Sequence, residues 1–151
     1  MSFPTSVSGY HLTHRDSVSW FAKGTTTVAV VVRSFHGTST SDSINSEAAL
    51  HDVARRVEHS LVLAQRAGDV DSYRLAFSAR DSVTIAGRTI PGVAIAVATK
   101  KGDALSMRLC YAYVLHGRVI QSSTTIPADS IRTTDMPVFA HEIVRQYAAT
   151  S

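Results

Sequence analysis

Apolar and polar positions alternate with a period of two over much of the chain, and in two places the period lengthens to that of a helix. Tyr10 and Leu12, then Val18 and Trp20 after a polar stretch, predict two short strands joined by a turn. Between Thr25 and Phe35, Val28, Val30 and Val32 alternate with Thr27, Ala29, Val31 and Arg33. β-Branched residues at nearly every position suit a central strand covered on both faces. The Ser, Thr, Gly and Asp run from Gly37 to Asn45 reads as a loop. It ends where Asn45 or Ser46 can cap a helix from Ser46 to Ala67, with Glu47 against its positive end. Leu50, Val53, Ala54, Val57, Leu61 and Ala64 form the apolar stripe of that helix, and Gly68 supplies its left-handed C-terminal position.

Strands and turns then follow at short intervals. Tyr73, Leu75 and Phe77 are placed on one face of a strand, a separate short strand covers Val83 to Ile85, and Gly87 lies in the turn after it. Pro91-Gly92 opens a strand with Val93, Ile95 and Val97 on one side and Ala94, Ala96 and Ala98 on the other. Lys101-Gly102-Asp103 turns into the alternating run from Leu105 to Leu115, and His116-Gly117 turns into Arg118 to Ile126. Asp135 stands as the N-cap of a closing helix with Pro137 near its start and Met136, Phe139, Ile143 and Tyr147 along one face. The expected fold is therefore α+β: one domain over residues 1–151, an antiparallel meander sheet of about six or seven strands packed by one long helix and a shorter C-terminal helix.

Composition agrees with an ordered single core. The chain has 151 residues, 44% of them hydrophobic and 18% charged, far from the composition of disordered segments. Neither a signal-peptide pattern nor a membrane-spanning apolar run occurs, and Cys110 is the only cysteine, so a cytoplasmic location is the expectation. Cys110 sits in a strand-like run, where a free thiol behaves as a small hydrophobe. The net charge of +3 comes from arginines scattered along the chain, with Arg55-Arg56 and Lys100-Lys101 the only adjacent basic pairs. Without a basic cluster, no nucleic-acid partner is expected.

Catalytic chemistry finds no foothold. His11 and His14 are three apart where a strand would not put both on one face, and His51 and His59 are separated by roughly 12 Å of helical rise. His36, His116 and His141 have no partner at a metal-ligand spacing. No nucleophile elbow or phosphate loop is present, and Glu47, Asp52 and Asp135 have helix pairs or a cap to serve. No catalytic residue, metal or cofactor is assigned.

What remains is surface. Ala94, Ala96 and Ala98 let something approach the sheet closely, either the long helix or a second chain. Met107, Tyr111 and Tyr113 are side chains of types enriched in adaptable interfaces. These six are the candidate partner-binding residues. Two apolar sheet faces and only two helices to cover them suggest a leftover face, taken by a protein client or by a second copy in a homodimer. The alternative is a small enzyme or small-ligand domain with a histidine-containing pocket.

The order of elements resembles the PsbP-like group, which includes the DcrB-type bacterial proteins. The likeness is carried by Ile90-Pro91-Gly92 opening a strand, the run Arg108 to Leu115, the hairpin His116-Gly117-Arg118-Val119, Thr125-Ile126-Pro127, and the closing helix Val138 to Tyr147. The resemblance implies a non-catalytic module of the kind used as assembly factor, envelope component or secretion chaperone. Many of the group carry a signal peptide or lipid anchor, a pattern this sequence does not show.

Overall fold

A computed structural model describes residues 5–35 and 42–150, with side chains described from Ser46 onward in the second segment. Strands β1 (Ser6–Val7), β2 (Tyr10–Arg15), β3 (Ser19–Lys23) and β4 (Thr26–Ser34) precede helix α1 (Asp42–Arg66). Strands β5 (Ser72–Ile85), β6 (Arg88–Lys101), β7 (Ala104–Leu115) and β8 (Arg118–Pro127) follow, then a single 3-10 turn at Ala128–Ser130 and helix α2 (Met136–Thr150). All eight strands form one sheet in the order β1-β2-β3-β4-β8-β7-β6-β5. Two antiparallel meanders thus meet at the β4–β8 pair, and α1 carries the chain from the middle of the sheet to its far edge.

One helix lies on each face. α2 presents Met136, Phe139, Ala140, Ile143, Val144 and Tyr147, all buried, to Val28 and Val30 of β4 and to the inward residues of β5 to β8. Phe139 meets the rings of Tyr10 and Phe21 edge-on, with centroids 4.9 and 5.4 Å away. The opposite face carries Val93, Ile95, Val97, Cys110, Ala112 and Val114, packed by Ala49, Leu50, Val53 and Leu61 of α1.

Cross-strand pairing explains the alanine row. Ala94, Ala96 and Ala98 stand opposite Tyr111, Leu109 and Met107, while on the other face Val93, Ile95 and Val97 stand opposite Ala112, Cys110 and Arg108. Small residues oppose large ones along the alanine row and at the Val93–Ala112 and Ile95–Cys110 pairs, which fills each layer without overpacking. The row continues at Gly92, where a Cβ would collide with the Tyr113 ring and lie 2.8 Å from the Ala112 carbonyl oxygen. The helix over the alanine face is α2, not the long helix: the branched row Val93, Ile95, Val97 is the one that offers α1 a broad apolar surface.

Three boundaries differ from the sequence reading. α1 begins at Asp42, so Asn45 and Ser46 lie inside its first turns rather than capping it; the rest of the expected loop, 37–41, and His36 lie outside the described residues. β5 is one strand of 14 residues, not two. A bulge between Leu75 and Phe77 sets Leu75 opposite Val97 but Phe77 opposite Ala96, which sends the two side chains to opposite faces instead of one. The two-residue β1 brings the sheet to eight strands.

Candidate functional site

α1 packs chiefly on β6 and β7, with Val119 at the start of β8 in the same cluster, and the sheet beyond its flank is open over much of β4 and β8. The result is a groove of about 540 Å3 between α1 and strands β3, β4, β8 and β7. Its floor is apolar and hydroxylated, with Ala29 and Val31 of β4, Cys110 of β7 and Ser123 of β8, while Val57 and Leu61 form the helix wall and Trp20 stands at the side. Strand alternation places these residues together, since Cys110 pairs Ser123, Ser123 pairs Ala29 and Ala29 pairs Trp20 across four strands.

Charge in the groove has one sign. Arg33, Arg56 and Arg108 line it, and no carboxylate does among the described residues. Asp52, on α1, receives Arg56 Nε at 2.8 Å and lies 4.0 Å from Arg33 Nη2. Arg33 Nη1 donates to Gln121 Oε1 at 2.8 Å, whereas its Nη2 is buried without a hydrogen-bond partner. Burial and the neighbouring Arg56 charge lower the Arg33 pKa from its ordinary value, with Asp52 acting against them. Burial also pushes the Cys110 thiol up to about 11, so it is a protonated core residue and not a thiolate nucleophile at neutral pH.

A second, smaller recess of about 290 Å3 lies on the other flank of α1, between Ala54, Val57 and Leu61 of the helix and Tyr73, Leu75 and Val97 of the sheet. It borders β5, the edge strand, where Leu75 is 59% and Phe77 41% exposed. An edge strand carries backbone donors and acceptors that no neighbour within the sheet satisfies.

One histidine has a carboxylate partner. His141 Nε2 lies 2.7 Å from Asp81 Oδ2 on the α2 side of the sheet, and Tyr113 donates its hydroxyl to the same oxygen. Burial alone would raise Asp81, but the hydrogen bonds from Tyr113 and His141 outweigh it and hold the carboxyl below its usual range. Tyr113 is correspondingly raised, by burial first and then by Asp81. The hydrogen-bond partner of His141 among the described residues is this carboxylate, and the Tyr113 hydroxyl is itself a donor to it. The cluster fastens β5, β7 and α2 together. A similar clamp holds the start of α2, where Asp135 takes the Tyr10 hydroxyl at 2.6 Å and Lys23 Nζ at 2.7 Å.

Of the residues expected to meet a partner, Ala94, Ala96, Met107, Tyr111 and Tyr113 are buried in the α2-side core and Ala98 lies at its margin. Neither recess is lined by a histidine, and among the described residues no group of three or more His, Cys, Asp and Glu could hold a metal ion. The arginine groove went unread in the sequence because Arg33, Arg56 and Arg108 come from three separate elements. Among the described residues no helix is long and apolar enough to cross a membrane.

No family model matches the chain, and no curated protein does. Among solved structures it is similar to the solution structure of cyanobacterial PsbP (CyanoP) from Synechocystis sp. PCC 6803, with a TM-score of 0.54 and 12% identity over 88% of this chain and 83% of that one. At that identity the likeness is one of fold. The expected architecture and the expected resemblance agree with it, and the chain has the PsbP-like fold: one antiparallel sheet between a long central helix and a C-terminal helix.

Proposed function

We propose that the protein is a non-catalytic binding module that takes an extended polypeptide segment as an added strand on β5. The observation that carries this reading is the apolar recess beside an open edge: Leu75 is exposed at the rim of a cavity walled by α1, Tyr73 and Val97. Strand addition satisfies the free backbone of the edge, and such a recess gives specificity by accepting one apolar side chain of the added segment. Arg74, Arg80 and the bulge at Ala76 limit indiscriminate pairing, as edge charges and bulges do elsewhere. The PsbP-like fold, used by a group of binding and assembly modules, supports the same direction. Self-association is the second reading, favoured by the same exposed Leu75 and Phe77, since two β5 strands paired about a two-fold axis would continue the sheet.

Selection from a library of extended peptides should enrich sequences with alternating apolar residues, and their binding should slow hydrogen exchange of the β5 amides. Leu75→Glu should abolish that binding and change stability by no more than about 0.5 kcal/mol, because the side chain is mostly exposed. Light scattering at micromolar concentration separates a client from a second copy: a dimer dissociated by Leu75→Glu assigns the edge to self-association. Unaltered exchange in β5 with a monomeric wild type would defeat both readings.

A further inference from the structure

The groove on the other flank of α1 has no role in strand addition, and its chemistry is different. Three arginines line it without a carboxylate among the described residues, and Arg108 makes no ion pair or hydrogen bond there. Asp52 sits behind Arg33 and Arg56 and is already engaged at 2.8 Å by Arg56 Nε. The Arg33 guanidinium is held in place on one side by Gln121, which leaves a fully buried N–H group, Nη2, without an acceptor. A buried donor left unsatisfied destabilises the fold, so this guanidinium gains from an acceptor brought to it. The floor beside it is apolar: Ala29, Val31, Val57, Leu61 and the thiol side chain of Cys110. A volume of about 540 Å3 falls in the range of small-molecule sites.

We infer that this groove binds a small amphipathic anion, a carboxylate or phosphate monoester attached to an apolar body. The anionic group lies against the guanidinium groups of Arg33 and Arg56, and the apolar body lies along Ala29 and Val31 toward Trp20. Arg108 stands at the far end of the groove, in the register row of Thr125, whereas Arg33 is in that of Val119. That separation is roughly 20 Å along the strand, so Arg108 adds to the positive potential and does not share the same oxygen.

Trp20 is the only tryptophan in the chain, so its fluorescence reports on this groove alone. The test titrates the full chain with decanoate, decyl phosphate, decanol and inorganic phosphate, below the micelle concentration of each amphiphile. Decanoate or decyl phosphate should give a saturable change in Trp20 emission, and whichever binds tighter names the headgroup. Decanol, without charge, and inorganic phosphate, without an apolar body, should bind at least roughly tenfold more weakly. Arg33→Gln should weaken the anion by a similar factor. Asp52→Asn removes the carboxylate that competes for Arg33 and Arg56 and should tighten it several-fold, an effect of opposite sign that mere loss of structure does not produce. Where Arg33→Gln fails to fold, Arg108→Gln serves in its place, with a smaller loss expected. Decanol binding as tightly as decanoate, affinity indifferent to both charge changes, or no saturable change with any probe would overturn the inference.

Discussion

On the α2 side of the sheet, Phe139, Ala140, Ile143 and Val144 are completely buried and meet side chains from β1 through β8, whereas on the α1 side the helix spans β6 and β7 and leaves open ground on both flanks. The two helices differ in how they are held. α2 is tied at its start by Asp135 to Tyr10 and Lys23, in its middle by His141 to Asp81, and near its end by Arg118, whose Nη1 donates to the Tyr147 hydroxyl at 3.1 Å. α1 reaches the sheet through Ala49, Leu50, Val53 and Leu61, with polar links from its side such as Arg80 to Glu47. One face is finished as a core; the other keeps concave surface, and concave surface with a few placed polar groups is where ligands bind. On the two proposals above, stability and binding fall to opposite sides of one sheet.

The largest expected effect tests that assignment directly. Phe139→Ala removes a fully buried ring from between Tyr10 and Phe21 and should cost about 3–5 kcal/mol in urea denaturation. Val57→Ala, on the half-buried flank of α1 that borders both recesses, should cost about 1 kcal/mol. Equal losses would mean that the two faces are equally packed. Next comes Gly92→Ala, expected to cost about 1–3 kcal/mol because the new methyl group meets the Tyr113 ring and the Ala112 carbonyl on the sealed side.

Acid should loosen the clamps of the α2 side. Burial acts to raise both Asp81 and Asp135, but hydrogen bonds from Tyr113 and His141 in one case, and from Lys23 and Tyr10 in the other, hold both below the usual carboxylate range. A lowered folded pKa contributes stability that is fully present above the unfolded value of about 3.9 and is lost as pH falls through the folded value. Thermal melts should therefore decline below about pH 4, and the Asp81→Asn, Asp135→Asn double variant should start lower at pH 7 and decline less steeply. The smallest perturbation reads the depth of the α1 face: Cys110, at the groove floor with its thiol at about 11, should resist a thiol reagent at pH 8 and react fully in guanidinium. Rapid labelling of the native chain would mean that the groove opens deeper than its resting shape.

Much of this architecture is legible along the chain, for a reason that also sets its limit. Leu50, Val53 and Leu61 are three and eight residues apart, and Met136, Phe139 and Ile143 are three and four apart, so each helix announces its buried stripe. Hairpin turns are equally local: Gly87, Gly102 and Gly117 take the positive φ values that their turns require. The bulge at Ala76 is not local in this sense. It is a mismatch between β5 and β6, and it alone decides that Leu75 joins the α1-side recess while Phe77 faces the other way.

From its sequence alone this protein is an α+β domain with a long and a short helix on an antiparallel sheet, because periodicity, caps and turns act between residues a few positions apart. Only the tertiary structure decides that α2, not α1, covers Ala94 and Ala96, that Asp81 meets His141 across sixty positions, and that Arg33, Arg56 and Arg108 share one groove. Each of those facts depends on which strand lies beside which, and strand order is set by the packing of whole faces rather than by any neighbouring pair of residues.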